Sequence, residues 1–211
     1  MDMQSKNLLD DAWTLVLCAS RACKPLLWMH DSDSPQRLAP GLRAPLADGL
    51  KTIVSFPDAL SALEDKMCAI YEMALSKPFV GIGASPFARR QGARTTEHGL
   101  LAALEFARER QEDFVGRAKR ACSGSRPDWA QLFCLSVTFI DYLDWGTFVL
   151  DNARGQAACL VLECIELLEA VSQEDPGKIR EETGDVFYNF MAFCLTLRIR
   201  AKHLELTAPS T

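Results

Sequence analysis

The chain has 211 residues, 48% of them hydrophobic and 24% charged, enough for a substantial core in one domain or a closely joined pair. Its net charge of −5 speaks against a general nucleic-acid-binding surface, while leaving room for a local basic pocket that meets phosphates. Met1-Asp-Met-Gln-Ser-Lys6 lacks a basic leader, the apolar run Val186 to Leu197 is too short to span a bilayer, and the eight cysteines form no C-x-x-C pair or zinc-like spacing. Cys159, Cys164 and Cys194 lie within apolar helical runs, where Cys serves as a small buried hydrophobe. These features predict a reducing, cytoplasmic setting without membrane attachment.

Apolar periodicity predicts helices throughout, hence an all-α fold. A first helix is expected near residues 5–30, broken by Asp31-Ser-Asp-Ser-Pro35 and by the Pro/Gly-rich stretch Ala39 to Pro45. A second apolar-periodic segment runs from about Asp58 to Ser76. A long loop follows, with Gly81-Ile-Gly83, Pro86 and the basic residues Arg89, Arg90 and Arg94; no strand pattern is strong, and Phe79 to Ile82 is the best, weak, candidate. Thr95 or Thr96 caps a third predicted helix reaching about Lys119. Ser123-Gly-Ser-Arg-Pro127 is the clearest boundary, dividing an N-terminal helical region of unknown role (1–125) from a C-terminal helical region (126–211). Beyond it, Asp128 is expected to cap a helix to about Leu150, Asn152 to Gly155 to break it, and two further helices to run to about His203.

The informative feature is a pair of acidic pairs, Glu163-x-x-Glu166 and Glu182-x-x-Asp185, placed symmetrically about residue 174. Asp175-Pro176-Gly177 stands at that midpoint, where an antiparallel helix hairpin would reverse. A spacing of three puts each pair on one helix face, and at ~1.5 Å rise per residue both lie roughly 12–16 Å from the tip. Folding the hairpin gathers four carboxylates at one level. Two carboxylates ~5 Å apart repel by about 3 kcal/mol at an effective dielectric near 20, so the cluster must take up protons or hold cations. Gly155 to Val171 contains no Lys or Arg to relieve it. Hard oxygen ligands of this kind suit Mg²⁺, with Mn²⁺ as a substitute.

The wording Leu160-Val-Leu-Glu-Cys-Ile-Glu-Leu-Leu-Glu-Ala-Val171, followed by Glu181-Glu-Thr-Gly-Asp-Val186, resembles the signature helices of the all-α nucleotide pyrophosphohydrolases, which include MazG-like enzymes and dimeric dUTPase and dCTPase types. The resemblance covers about residues 140–200. It implies Mg²⁺-dependent cleavage of a nucleoside triphosphate to monophosphate and pyrophosphate, and a core that a second subunit often completes. Carried over by position, the metal ligands are Glu163, Glu166, Glu182 and Asp185, and Glu166 or Glu169 is the base that takes a proton from the attacking water. The chain departs from many members at Leu162, where they carry a further acid.

Substrate contacts follow in outline. Trp145 and Phe148 match aromatic positions of dCTPase-like relatives and equally suit a core. Tyr188 and Asn189 share the face of Asp185, three and four residues on, and a buried Asn189 needs partners. Arg154, Lys178 and Arg180 could balance phosphate charge, with a solvated helix end the favoured reading for each. A di-iron bundle would need Glu-x-x-His pairs, whereas the residues three before His30, His98 and His203 are Leu27, Thr95 and Arg200. The other alternative is a non-catalytic all-α module that keeps the hairpin to bind a nucleotide or a protein. No stable nucleic-acid partner is expected, and a homo-oligomer, a dimer, is.

Overall fold

The computed structural model describes residues 3–29, 34–76, 115–123, 126–142 and 153–206. Among these residues every regular element is helical. Helix α1 spans Met3–Leu27, a 3₁₀ turn Pro35–Leu38, α2 Ala39–Ile53, α3 Ala59–Ser76, α4 residues 115–122, α5 Trp129–Tyr142, α6 Ala153–Ser172 and α7 Pro176–Thr196. A last 3₁₀ turn covers Ala201–His203.

Two stripes of small and apolar residues set the packing around the hairpin. Ala12, Leu15, Ala19, Ala22 and Leu26 recur at steps of three and four along α1, all fully buried. Ala153, Ala157, Leu160, Cys164, Leu167 and Val171 do the same on α6, and the two helices pack together. The alanines let the backbones approach, and Cys23 Sγ donates to the Ala157 carbonyl at 3.2 Å. A leucine moved from water into such a seam contributes about 1.5–3 kcal/mol.

Helix α7 is the centre of the fold. From Val186 to Thr196 every side chain is buried, so it is covered on all sides rather than along one stripe. Helices α6, α3, α2 and α5 surround it. Phe187, Phe190 and Phe193 fill the space between them; Trp129 of α5 meets Phe187 with ring centroids 5.8 Å apart. Gly49 of α2 yields room for Phe190, whose ring would stand 2.3 Å from a Cβ there. The apolar sides of the hairpin are thus covered within the chain by α1, α2 and α3.

Three local expectations need correction. The Pro/Gly-rich stretch Ala39 to Pro45 does not break the chain but opens α2, with Pro40 in the first turn and Pro45 inside the helix. Pro40 costs no hydrogen bond there, because first-turn amides have no partner within a helix. The stripe Leu42, Leu46, Leu50 and Ile53 supplies enough burial to carry Pro45. Likewise Ala153, Arg154 and Gly155 lie inside α6 rather than in a break. Cys159, expected as a small buried hydrophobe, is exposed, whereas Cys164 and Cys194 are buried.

Asp128 does cap α5, its carboxylate accepting from the Gln131 amide at 3.0 Å. The Phe79 to Ile82 pattern, the arginines at 89, 90 and 94, most of the helix expected from Thr95, and the stretch from 143 to 152 with Trp145 and Phe148 lie outside the described residues.

Candidate metal centre

The α6–α7 reversal is built from its own residues. After Ser172 the chain closes with the amide of Glu174 on the Val171 carbonyl (3.1 Å) and that of Asp175 on the Ala170 carbonyl (3.3 Å), the pairing of a Schellman ending. Glu174 takes the left-handed conformation this ending requires, φ 54°. Asp175 then caps α7, its carboxylate accepting from the amides of Gly177 (3.0 Å) and Lys178 (3.1 Å), with Pro176 opening the helix.

Folded this way, the hairpin brings carboxylate oxygens of Glu163, Glu166 and Glu182 within 4.8 Å of one another. Ligands around Mg²⁺ at about 2.0–2.1 Å stand roughly 3–4 Å apart, so small side-chain rotations would close this triple on an ion. Glu163 and Glu182 are partly buried, Glu166 exposed. Burial, followed by the charges of Asp185 and Glu166, pushes the Glu163 carboxyl up to about 7, with Lys66 opposing. Burial, then Glu166, Asp185 and Glu181, also raise Glu182, again against Lys66. A group of hard oxygen donors short of positive charge fits a divalent cation.

Asp185, the fourth acid, is not in the triple. Its Oδ1 is shielded from solvent without a directional hydrogen bond, and its contact is an ion pair with Lys66 Nζ from α3. The pair exists because α3 and α7 touch at Gly184, where a Cβ would stand 2.5 Å from the Ala62 carbonyl oxygen and 3.3 Å from Lys66 Cβ. Sequence reasoning missed Lys66. The available signal was that it is the sole Lys or Arg of α3, beside the buried Leu63 and Met67.

The other candidates sit around this cluster. Glu169 is exposed, one turn from Glu166 toward the hairpin tip. Asn189 is buried and partnered: its amide donates to the Asp185 carbonyl at 3.0 Å and accepts from Gln156 Nε2 at 2.8 Å, linking α7 to α6. Nothing in the sequence marks Gln156, whose role comes only from this contact across helices. Tyr188 is buried, and desolvation raises its hydroxyl above the usual range. Arg180 turns to α3, pairing with Asp65 at 2.7 Å and Asp58 at 3.6 Å and donating to Ser61 at 2.8 Å. Arg154 reaches α1, with Nε on the Leu26 carbonyl at 3.1 Å and Nη2 on that of Met29. Leu162 is 57% exposed, so no charge is missing from the buried side of α6 at that position.

The fold and site therefore define an all-α protein whose buried helix hairpin presents converging acids. Residues 153–206, about a quarter of the chain, match the family model of the MazG nucleotide pyrophosphohydrolase domain, and they span both acid-bearing helices. No curated protein and no solved structure matches the chain. No helix among the described residues is long and apolar enough to cross a membrane.

Proposed function

We propose that the protein is a Mg²⁺-dependent nucleoside triphosphate pyrophosphohydrolase, converting a ribo- or deoxynucleoside triphosphate and water to the monophosphate and pyrophosphate. The observation that carries this reading is the convergence of Glu163, Glu166 and Glu182 on the two helices of the family match. Glu163, Glu166, Glu182 and Asp185 would hold the ion, with Mn²⁺ as a substitute. Bound there, a divalent cation neutralises phosphate charge and acidifies a water.

The protein's own groups supply the rest. A carboxylate left without a direct metal bond accepts the proton of the attacking water: Glu169, outside the triple, or Glu166 where the other acids hold the ion. Attack on the α-phosphorus is in line with the departing pyrophosphate. Trp145 and Phe148 are the proposed stacking faces for the base. Asn189, held from two sides with one amide hydrogen to spare, offers a contact to sugar or base, and its chain neighbour Tyr188 is proposed for the same role. Arg180 would meet phosphate by exchanging Asp65. In this reading region 126–211 carries the acids and region 1–125 the covering helices, and the protein works in the cytoplasm as a homodimer without stable nucleic-acid partners.

Release of pyrophosphate from a panel of canonical and modified nucleoside triphosphates, with and without Mg²⁺, tests the proposal. Turnover should require the metal and vanish in E163Q and D185N with helical content intact. One observation favours a second reading, a non-catalytic nucleotide- or protein-binding module: Asp185 pairs with Lys66 and stands outside the triple of glutamates. The absence of release from every triphosphate at high protein concentration would select that module.

A further inference from the structure

Lys66 belongs to the N-terminal half, outside the residues that match the family model, yet its ammonium sits on one of the four acids. Its charge is also felt at Glu163 and Glu182, against whose raised proton affinity it works. It is the described cation whose charge reaches both glutamates; Arg180 pairs with Asp65 and Asp58, Arg154 with the carbonyls of Leu26 and Met29, and Lys178 is exposed in the first turn of α7. The Lys66 side chain is 30% exposed and that of Asp185 16%, so the ion pair lies at the rim of the cluster and the ammonium can turn outward without unpacking α3. Lys is a flexible point charge able to trade one anion for another, whereas a buried, bidentate arginine would not.

We propose that Lys66 is an exchangeable cation of the substrate site, holding Asp185 in the metal-free protein and passing to the phosphate chain when a divalent ion engages Asp185. This rests on the metal-site reading above and extends it. A polyphosphate approaching a group of acids needs positive charge from more than the metal. Lys66, already on one of the acids, is placed to supply it beside Arg180. The acid-bearing helices alone would then make an incomplete site, because one of its charges comes from α3.

The test is calorimetric titration of the full chain at fixed ionic strength, first with Mn²⁺ and then, at saturating Mn²⁺, with inorganic tripolyphosphate. Substituting Lys66→Met or Lys66→Gln removes a competitor for Asp185, so Mn²⁺ should bind about tenfold tighter, while tripolyphosphate binding weakens tenfold or more. Lys66→Arg should keep tripolyphosphate binding within about threefold. In the unmutated chain carrying ¹³C-dimethylated lysines, the Lys66 resonance should move on adding Mg²⁺ and tripolyphosphate together, a readout independent of whether the variants fold. Unchanged tripolyphosphate binding in both neutral variants, weaker Mn²⁺ binding in them, or a stationary Lys66 resonance would each overturn the inference and leave the metal site standing. Failure of the unmutated chain to bind Mn²⁺ would remove the metal site itself, and the inference with it.

Discussion

Gly184 and Ala62 meet backbone to backbone: a Cβ on Gly184 would stand 2.5 Å from the Ala62 carbonyl oxygen, a separation that real Cβ atoms essentially never show. This contact sets how near α3 comes to α7, and so places Lys66 on Asp185. The glycine next to the fourth acid thus has a packing role that fixes a charge.

Replacing Gly184 with Ala should therefore lower stability by about 1–3 kcal/mol, because the obstructing atom is backbone and α3 must move. Helix propensity returns less than about 1 kcal/mol of this. The matched control is Gly41→Ala in α2, where nothing lies within 4 Å of an added Cβ. There the expected change is a gain of about 0.5 kcal/mol. Chemical denaturation of both variants checks the pair, and equal effects at the two sites would contradict the assigned contact.

The Glu163 carboxyl, pushed up to about 7 by burial and then by Asp185 and Glu166, makes the metal-free protein pH-sensitive. A raised acid contributes its stability fully below its unfolded value near 4.5 and loses it as pH climbs through about 7. Glu182 is shifted in the same direction. Allowing for solvent screening of a half-buried group, the fall across that window should be about 1–2 kcal/mol. Glu163→Gln should flatten the curve and raise stability at pH 8. Denaturation midpoints from pH 4 to 8 in the presence of a chelator measure it.

The hairpin was legible in the chain because its signals are local: two i,i+3 acid pairs, an Asp-Pro-Gly turn between them, and apolar residues at helical spacing. Asp175 caps α7 and Pro176 opens it, as that spacing implies. The convergence of Glu163, Glu166 and Glu182 follows from the same symmetry. Lys66 was not legible, since its partner lies more than a hundred residues away and only the close approach at Gly184 joins them. The Ala39 to Pro45 stretch misled for a related reason. Local chemistry disfavours helix there, and burial of Leu42, Leu46 and Leu50 overrides it. Gln156 escaped notice because only a neighbouring helix gives it meaning, through Asn189.

Loading and removing metal should affect stability far more than helical content. Lys66 already offsets part of the cluster's charge, so a chelator should leave the far-ultraviolet circular dichroism unchanged. Adding Mg²⁺ or Mn²⁺ at a hundred times its dissociation constant should stabilise the fold by about 2.7 kcal/mol at pH 8, through binding to the folded state alone. Because the ion must displace the Glu163 proton, affinity should rise about tenfold per pH unit below 7 and level off above it. Affinity that stays flat from pH 5 to 8 would exclude Glu163 from the ligand set.

The turn itself offers a prediction that separates folding from the site. Asp175 accepts two first-turn amides of α7, so Asp175→Ala should cost about 1 kcal/mol. Glu174 holds φ 54° without being glycine, a conformation that costs an L-residue about 1–2 kcal/mol. Glu174→Gly relieves that strain but adds chain entropy to the unfolded state, leaving a net gain of a few tenths to about 1 kcal/mol. At ~1.5 Å per residue, Glu166 and Glu182 stand roughly 11–12 Å from this turn, beyond the reach of a lost cap. Both variants should accordingly bind Mn²⁺ as the unmutated chain does while their unfolding midpoints move in opposite directions. A change in Mn²⁺ affinity larger than about threefold in either would mean that the turn, and not the rigid helices around α7, sets the spacing of the acids.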